Sequence, residues 1–181
     1  MLTRFTTVLY LVFLAGILVS GLGCASGESR IRSQAEHGDA AAQHKLGSMY
    51  WFGAEGIQQN PAEAVRWYRL AADGGNTEAQ VDLGILYTEG RGVPQNSSEA
   101  LRLFRAAAEK GNARAQVKIG KMYEDGRGVP RDFVQAHMWW NLAGAHGDKQ
   151  GWALRDFVAT KMTPAQIAEA QKLASEWKGA R

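Results

Sequence analysis

Two apolar phases alternate along this chain. In the first, Ala79, Leu83 and Tyr87 stand at i, i+4 and i+8, and the spacing returns in Ala42, Leu46, Tyr50 and in Ala115, Ile119, Tyr123. In the second, Ala64, Trp67, Tyr68 and Ala71 stand at i, i+3, i+4 and i+7, and recur as Ala100, Leu103, Phe104, Ala107 and as Ala136, Trp139, Trp140, Ala143. Either spacing keeps one face of a helix apolar, so the pattern predicts helix pairs rather than strands. Asn60, Asn96 and Asp132 lie 36 residues apart, while Ala42 and Ala79 differ by 37 because the first unit carries one extra loop residue. Self-similarity at this period marks a stack of repeats.

Polar residues mark the helix ends. Asn60, Asn96 and Asp132 are placed to cap the second helices, with Glu63, Glu99 and Gln135 three residues on to reach back in a capping box. Asp39, Asn76, Asn112 and Asp148 are placed to cap the first helices, each just after Gly38, Gly75, Gly111 or Gly147, where the preceding helix stops. "GRGVP" occurs at residues 90–94 and 126–130. A phosphate-binding loop would need Gly-Lys-Ser or Gly-Lys-Thr behind a buried strand, so this motif reads as an elbow between helices, with Pro94 and Pro130 preventing continuation. Gly47, Gly84 and Gly120 fall inside first helices, where each costs about 1 kcal/mol against alanine. That recurrence predicts a close helix crossing, with alanine pairs such as Ala71-Ala72 and Ala107-Ala108 as the approaching surfaces.

Composition narrows the function. The 181 residues are 45% hydrophobic with a net charge of +3, and basic and acidic side chains alternate, so despite a pI near 9.1 no single-sign face for nucleic acid emerges. The first charged side chain after Arg4 is Glu28, and residues 8–19 are an unbroken apolar run of the length of a signal-peptide core. Residues 21–24, Gly-Leu-Gly-Cys, resemble a bacterial lipobox in which the cysteine is lipidated; the usual leucine is displaced by one place. Lipid attachment at Cys24, cleavage near Ala25 or Ser26, and an uncleaved anchor all place the body outside the cytoplasm. With one cysteine, the chain forms no internal disulfide.

His37 and His146 stand near second-helix C-termini, where the helix dipole favours them. With His44 and His137 they form no spacing for a metal, and none is expected. Trp67, Trp139 and Trp140 read as core and Trp177 as part of a cap, which leaves Trp51 and Trp152 for a surface.

The pattern Ala-x3-Leu-Gly-x2-Tyr, then Gly-x-Gly-Val, Asn or Asp, Ala, Trp and Ala-Ala-x2-Gly resembles the Sel-one-like repeat, a relative of the tetratricopeptide repeat. The first unit departs from it with "GAEGI" in place of "GRGV". The resemblance implies an all-α, right-handed α/α solenoid of stacked helix pairs. The expected organisation is a signal peptide over 1–23, a tether over 24–30, and repeats over 38–74, 75–110 and 111–146, preceded by a half-helix cap in which Ile31 aligns with Phe104 and Ala35 with Ala108. Residues 148–181 form a degenerate repeat, with Gly151 in place of alanine and Arg155-Asp156 in place of Leu-Gly, and a last helix from Thr163-Pro164 that covers the open end.

Some cysteine-rich relatives in this family are described as β-lactamases, and Ser175 and Lys178 spell Ser-x-x-Lys. Here the motif sits next to the chain end without Ser-Asp-Asn or Lys-Thr-Gly, so catalysis is not expected. The family resemblance implies instead an adaptor binding a protein or peptide, without a cofactor, as a monomer anchored in a bacterial periplasm. Ala25 after the cysteine favours the outer membrane over inner-membrane retention. A β-lactamase-like envelope hydrolase or a peptidoglycan-binding accessory protein is the alternative. In tetratricopeptide-like stacks the first helices line the concave side. Placing Leu46, Leu83 and Ile119 in register leaves His44, Ser48, Trp51, Val81, Ile85, Thr88, Val117, Lys121 and Glu124 as the expected partner-binding row, apolar in the middle with a charged edge.

Overall fold

The computed structural model describes residues 27–54 and 56–179; the signal-peptide core and Cys24 lie outside the described residues. A helix α1 (residues 27–36) is followed by α2 (Ala40–Phe52), α3 (Pro61–Asp73), α4 (Thr77–Glu89), α5 (Ser97–Glu109), α6 (Ala113–Asp125), α7 (Phe133–Ala145), α8 (Lys149–Ala159) and α9 (Pro164–Glu176). Residues 27–30, expected in the tether, are already helical. α2/α3, α4/α5 and α6/α7 pair as hairpins, and α3 and α5 each pack on the first helix of the next repeat, which makes the molecule an α/α solenoid.

Local signals set the helix ends. Asp39, Asn76, Asn112 and Asp148 accept hydrogen bonds from N–H groups of the first helical turn, as do Asn60, Asn96 and Asp132. The reach-back of Glu63 and Glu99 does not form: each carboxylate instead holds an arginine one turn on, Glu63 to Arg66 at 3.0 Å and Glu99 to Arg102 at 2.7 Å. A charge-assisted contact to a guanidinium competes well with a single backbone N–H. Thr163 and Gln166 do close a reciprocal capping box on α9. At the elbows Gly90 and Gly126 take left-handed φ of 69° and 70°, a conformation in which a Cβ is strained. The elbow residues Ile57 and Val93 are buried and Val129 is half-buried.

The glycines inside first helices do mark a close approach, but the neighbour differs from the expectation. A Cβ on Gly47 would lie 2.8 Å from the Tyr68 ring, and one on Gly84 would lie 2.5 Å from the Phe104 ring; at Gly120 it would run into Trp140. In each hairpin the second helix therefore lays an aromatic ring across the glycine of the first. The alanine pairs serve a different contact, packing Ala71 and Ala72 against Ala79 and Leu83 of the following repeat. They must be small because a whole helix passes over them.

Two hydrogen-bond ladders tie repeat to repeat. Buried glutamines of the first helices donate to the end of the preceding second helix: Gln43 to Ala35 O, Gln80 to Ala72 O and Gln116 to Ala108 O, at 3.0 to 3.2 Å. Arginines of the second helices donate to tyrosine hydroxyls of the next repeat: Arg32 to Tyr50, Arg69 to Tyr87 and Arg105 to Tyr123. α1 supplies a rung to both ladders, so it acts as a second helix without its first.

The C-terminal end breaks the pattern for a packing reason. At the glutamine position α8 carries Trp152, and its ring fills the space that a Cβ on Gly144 would need. Gly151 replaces alanine because a Cβ there would sit 2.7 Å from the Gly144 backbone nitrogen. α9 does not cover the open end of the stack. It packs along α7 rather than α8, burying Ala170 and Ala174 and setting Trp177 edge-on to Trp139 at 4.7 Å. The α8 position where a second helix would sit needs no Leu-Gly, and Arg155-Asp156 occupies it.

Candidate binding groove

Successive first helices leave gaps between them, and the aromatic-over-glycine arrangement decides what lies at the bottom. Tyr68 forms the floor between α2 and α4, walled by Trp51, Phe52, Asp82, Arg91 and Arg114. Phe104 forms the floor between α4 and α6, with Met122 beside it and Lys118, Lys121 and Asp125 above. Ile85 lines both gaps.

The expected row is only partly at this surface. Val81 and Val117 are buried, 0% and 8% exposed, and line neither gap, so the apolar middle is not formed by them. The exposed stripe is turned by one residue: Lys45, Asp82 and Lys118 face outward where His44, Val81 and Val117 were placed, and Phe52, Glu89 and Asp125 do so beside Trp51, Thr88 and Glu124. One residue is about 100° of helix rotation, enough to exchange a core face for a surface. The row therefore runs charged in the middle, with exposed rings towards its ends: Phe52 at 74% and Phe157 at 54%.

The remaining row residues are largely occupied with one another. His44 Nε2 donates to Asp82 Oδ2 at 2.8 Å, and Arg114 reaches the other oxygen of Asp82 at 2.9 Å and Glu78 at 3.4 Å, which links α2, α4 and α6. Ser48 Oγ donates to His44 O and accepts from the Tyr68 hydroxyl. Thr88 Oγ1 donates to Gly84 O. Arg91 stacks on Trp51, 4.6 Å from the ring centre. Lys121 holds Glu124 at 2.7 Å and Asp125 at 3.1 Å, and Glu124 also takes Lys161 at 3.5 Å. Burial alone would push the Asp82 carboxyl up, but the His44 hydrogen bond and the Arg114 charge hold it below the usual carboxylate range. Burial pushes the Tyr68 hydroxyl up.

No nucleophile and base converge in the groove. Ser175, on α9, is exposed and donates to Lys172 O. Among the described residues no three His, Cys, Asp or Glu side chains are grouped to hold a metal. What the groove offers is shaped apolar floors rimmed by charge, which suits binding. Phe52, Asp82, Arg91, Arg114, Lys118 and Asp125 are among the lining residues that sequence reasoning missed. An acidic stripe at Glu78, Asp82 and Glu89, spaced i, i+4 and i+11 with Ile85 on the same face, was the signal that could have found the face.

The Sel1 repeat family model matches residues 40–76, 77–112 and 113–148. The chain belongs to the Sel1 repeat family. Among solved structures, a Sel1 repeat protein from Oxalobacter formigenes is similar at 38% identity and TM-score 0.65, over 71% of this chain and 96% of that one. The protective antigen c5321 of uropathogenic Escherichia coli, displaying an SLR fold, is similar at 30% identity and TM-score 0.64, over 84% of this chain and 41% of that one. A 57-residue stretch is 35% identical to the ERAD-associated E3 ubiquitin-protein ligase component HRD3A of Arabidopsis thaliana, covering 32% of this chain and 8% of that protein. Its counterpart HRD3B is 39% identical over the same length and likewise matched over 8% of its length. Sel1 repeat proteins are protein-interaction scaffolds.

Proposed function

We propose that this Sel1 repeat protein is a non-catalytic scaffold of the bacterial envelope, held through a lipid on Cys24 in the outer membrane, that binds a protein or peptide partner in the periplasm with the face of its first helices. The observation that supports this reading most is the pair of open gaps floored by Tyr68 and Phe104. Both gaps lie between successive first helices and set apolar floors beneath charged rims. Ser175 is exposed and its hydroxyl donates to Lys172 O, an arrangement that lends the hydrolase reading no support.

The test has two arms. A fatty-acid probe should label the wild type in growing cells and fail to label Cys24→Ala, because stable attachment needs more than a single acyl chain of roughly 10⁴ M⁻¹ affinity. A photo-crosslinking residue at position 85 should trap a defined partner in intact envelopes, and the triple variant Trp51→Ala, Ile85→Ser, Lys121→Glu should lose that partner while keeping its helicity and melting temperature. Undiminished recovery by the triple variant would show that another face binds.

A further inference from the structure

The gap between α4 and α6 carries more positive charge than its own ion pairs absorb. Lys118 stands half-buried at the rim, and among the described residues no carboxylate reaches it. Around it Lys121 and Arg127 share Asp125, while Lys121 and Lys161 share Glu124. Three cations, Lys118, Lys121 and Arg127, line this gap against two carboxylates, Glu89 and Asp125, and Glu89 is drawn off by Arg91. Directly below is the apolar floor of Ile85, Phe104 and Met122. A half-buried ammonium without a partner is a favourable site for a carboxylate brought in beside an apolar side chain. A basic segment would meet the excess as repulsion.

The arrangement also has a spacing. The floors of Tyr68 and Phe104 are one repeat apart, and neighbouring helices lie about 10 Å from one another. A chain in the extended polyproline-II conformation advances about 3.1 Å per residue with three residues per turn, so two side chains three positions apart share a face and span the two floors. We propose that the groove takes an extended acidic segment of a partner polypeptide, in which two apolar residues three positions apart seat over Tyr68 and Phe104 and a carboxylate beside the second pairs with Lys118. This rests on the first-helix face being the binding face.

The probe is a fluorescein-labelled peptide, Glu-Leu-Glu-Glu-Leu-Glu with glycine flanks, measured by fluorescence anisotropy against the full-length chain in detergent. Controls carry Lys for every Glu, or Ser for both Leu. The acidic leucine peptide should bind saturably and weaken with salt, both controls should bind at least about tenfold more weakly, and Lys118→Glu should cost about tenfold, the scale of one charge reversed at an interface. Lys118→Met, which keeps the apolar stem, should show a smaller loss in the same direction, and Ile85→Ser should weaken binding without changing the preference for acid. Absence of saturable binding by the acidic peptide up to about 1 mM, equal binding of the lysine peptide or of an unrelated single-stranded oligonucleotide, or indifference to both Lys118 variants overturns the proposal. If the acidic peptide fails while a residue at position 85 still crosslinks a partner in envelopes, the acidic occupant is wrong and the groove stands. If both fail, the groove reading falls as well.

Discussion

Gly84 sits where a helix would ordinarily gain from any other side chain. Alanine is better by about 1 kcal/mol in a free helix, yet a Cβ at Gly84 would lie 2.5 Å from Phe104 Cε1. That ring is 1% exposed and packed in the core beneath the gap, so the overpacking cost, typically about 1–3 kcal/mol, should outweigh the propensity gain. Gly84→Ala is expected to lower the melting temperature, and Gly84→Ala combined with Phe104→Leu to recover part of the loss; a single variant that melts at or above wild type would refute the aromatic-over-glycine account. His137 is the opposite case, a polar group at a position that is Val65 and Leu101 in the other repeats. It is buried, and its Nδ1 has no hydrogen-bond partner. Burial, helped by the charge of Arg155, pushes its imidazole below the ordinary range. Below about pH 6.5 the unfolded chain binds a proton that the folded chain refuses, so stability falls with pH over the window beneath that value. His137→Leu should therefore raise stability by about 1 kcal/mol at neutral pH and flatten the pH dependence in the range just below about 6.5. Thermal melts of both proteins across that range would check it, and parallel curves would contradict the assignment.

Each second helix has an N-cap whose two candidate contributors do unequal work. Asn96 accepts from the Glu99 N–H at 3.0 Å, whereas the Glu99 side chain is engaged with Arg102. Asn96→Ala should cost about 1 kcal/mol, the ordinary value of a lost cap. Glu99→Ala should cost no more than about 0.5 kcal/mol, because an exposed pair one turn apart is worth that much at most. Denaturant melts that gave equal losses would mean that the reciprocal box forms in solution. The same scale explains α8 and α9. Trp152 and Gly144 exchange volumes across α7 and α8, and once α9 is docked on α7, α8 has no second helix to receive and its Leu-Gly signature has no use.

Across the whole molecule, the repeats are coupled by side chains that reach from one unit to the next, and Asp82 is the point where three first helices meet. Its carboxylate is held below the ordinary range by His44 and Arg114 despite burial. A carboxyl with a depressed folded value contributes stability above its unfolded value, near 3.9, and loses it as pH falls through the folded one. Asp82→Asn should therefore be less stable than wild type at pH 7, by about 1 kcal/mol, and the difference should shrink below about pH 4. Chemical denaturation at pH 7 and pH 3 measures both ends. A deficit that persists unchanged in acid would rule out the charge as its cause.

The sequence by itself determined the repeat, its period and the ends of nearly every helix. These are local matters: a side chain accepting from an N–H two or three residues on, a glycine in left-handed φ, and a 3.6-residue spacing that the chain writes three times. It also marked Gly47, Gly84 and Gly120 as sites of close approach. Which atoms approach was not legible, because helix propensity says only that the glycine costs something, and Tyr68, Phe104 and Trp140 lie some twenty residues away. The groove was legible to within one residue of helix rotation. Apolar spacing defines a face about 100° wide, and Val81 and Val117 fit equally well as the edge of a surface or the edge of the core until α5 and α7 are placed against them. The ion-pair chain through His44, Asp82 and Arg114 and the docking of α9 on α7 were decided by tertiary structure alone. Each joins residues on separate helices, and a periodic pattern carries no information about how one helix is turned relative to the next.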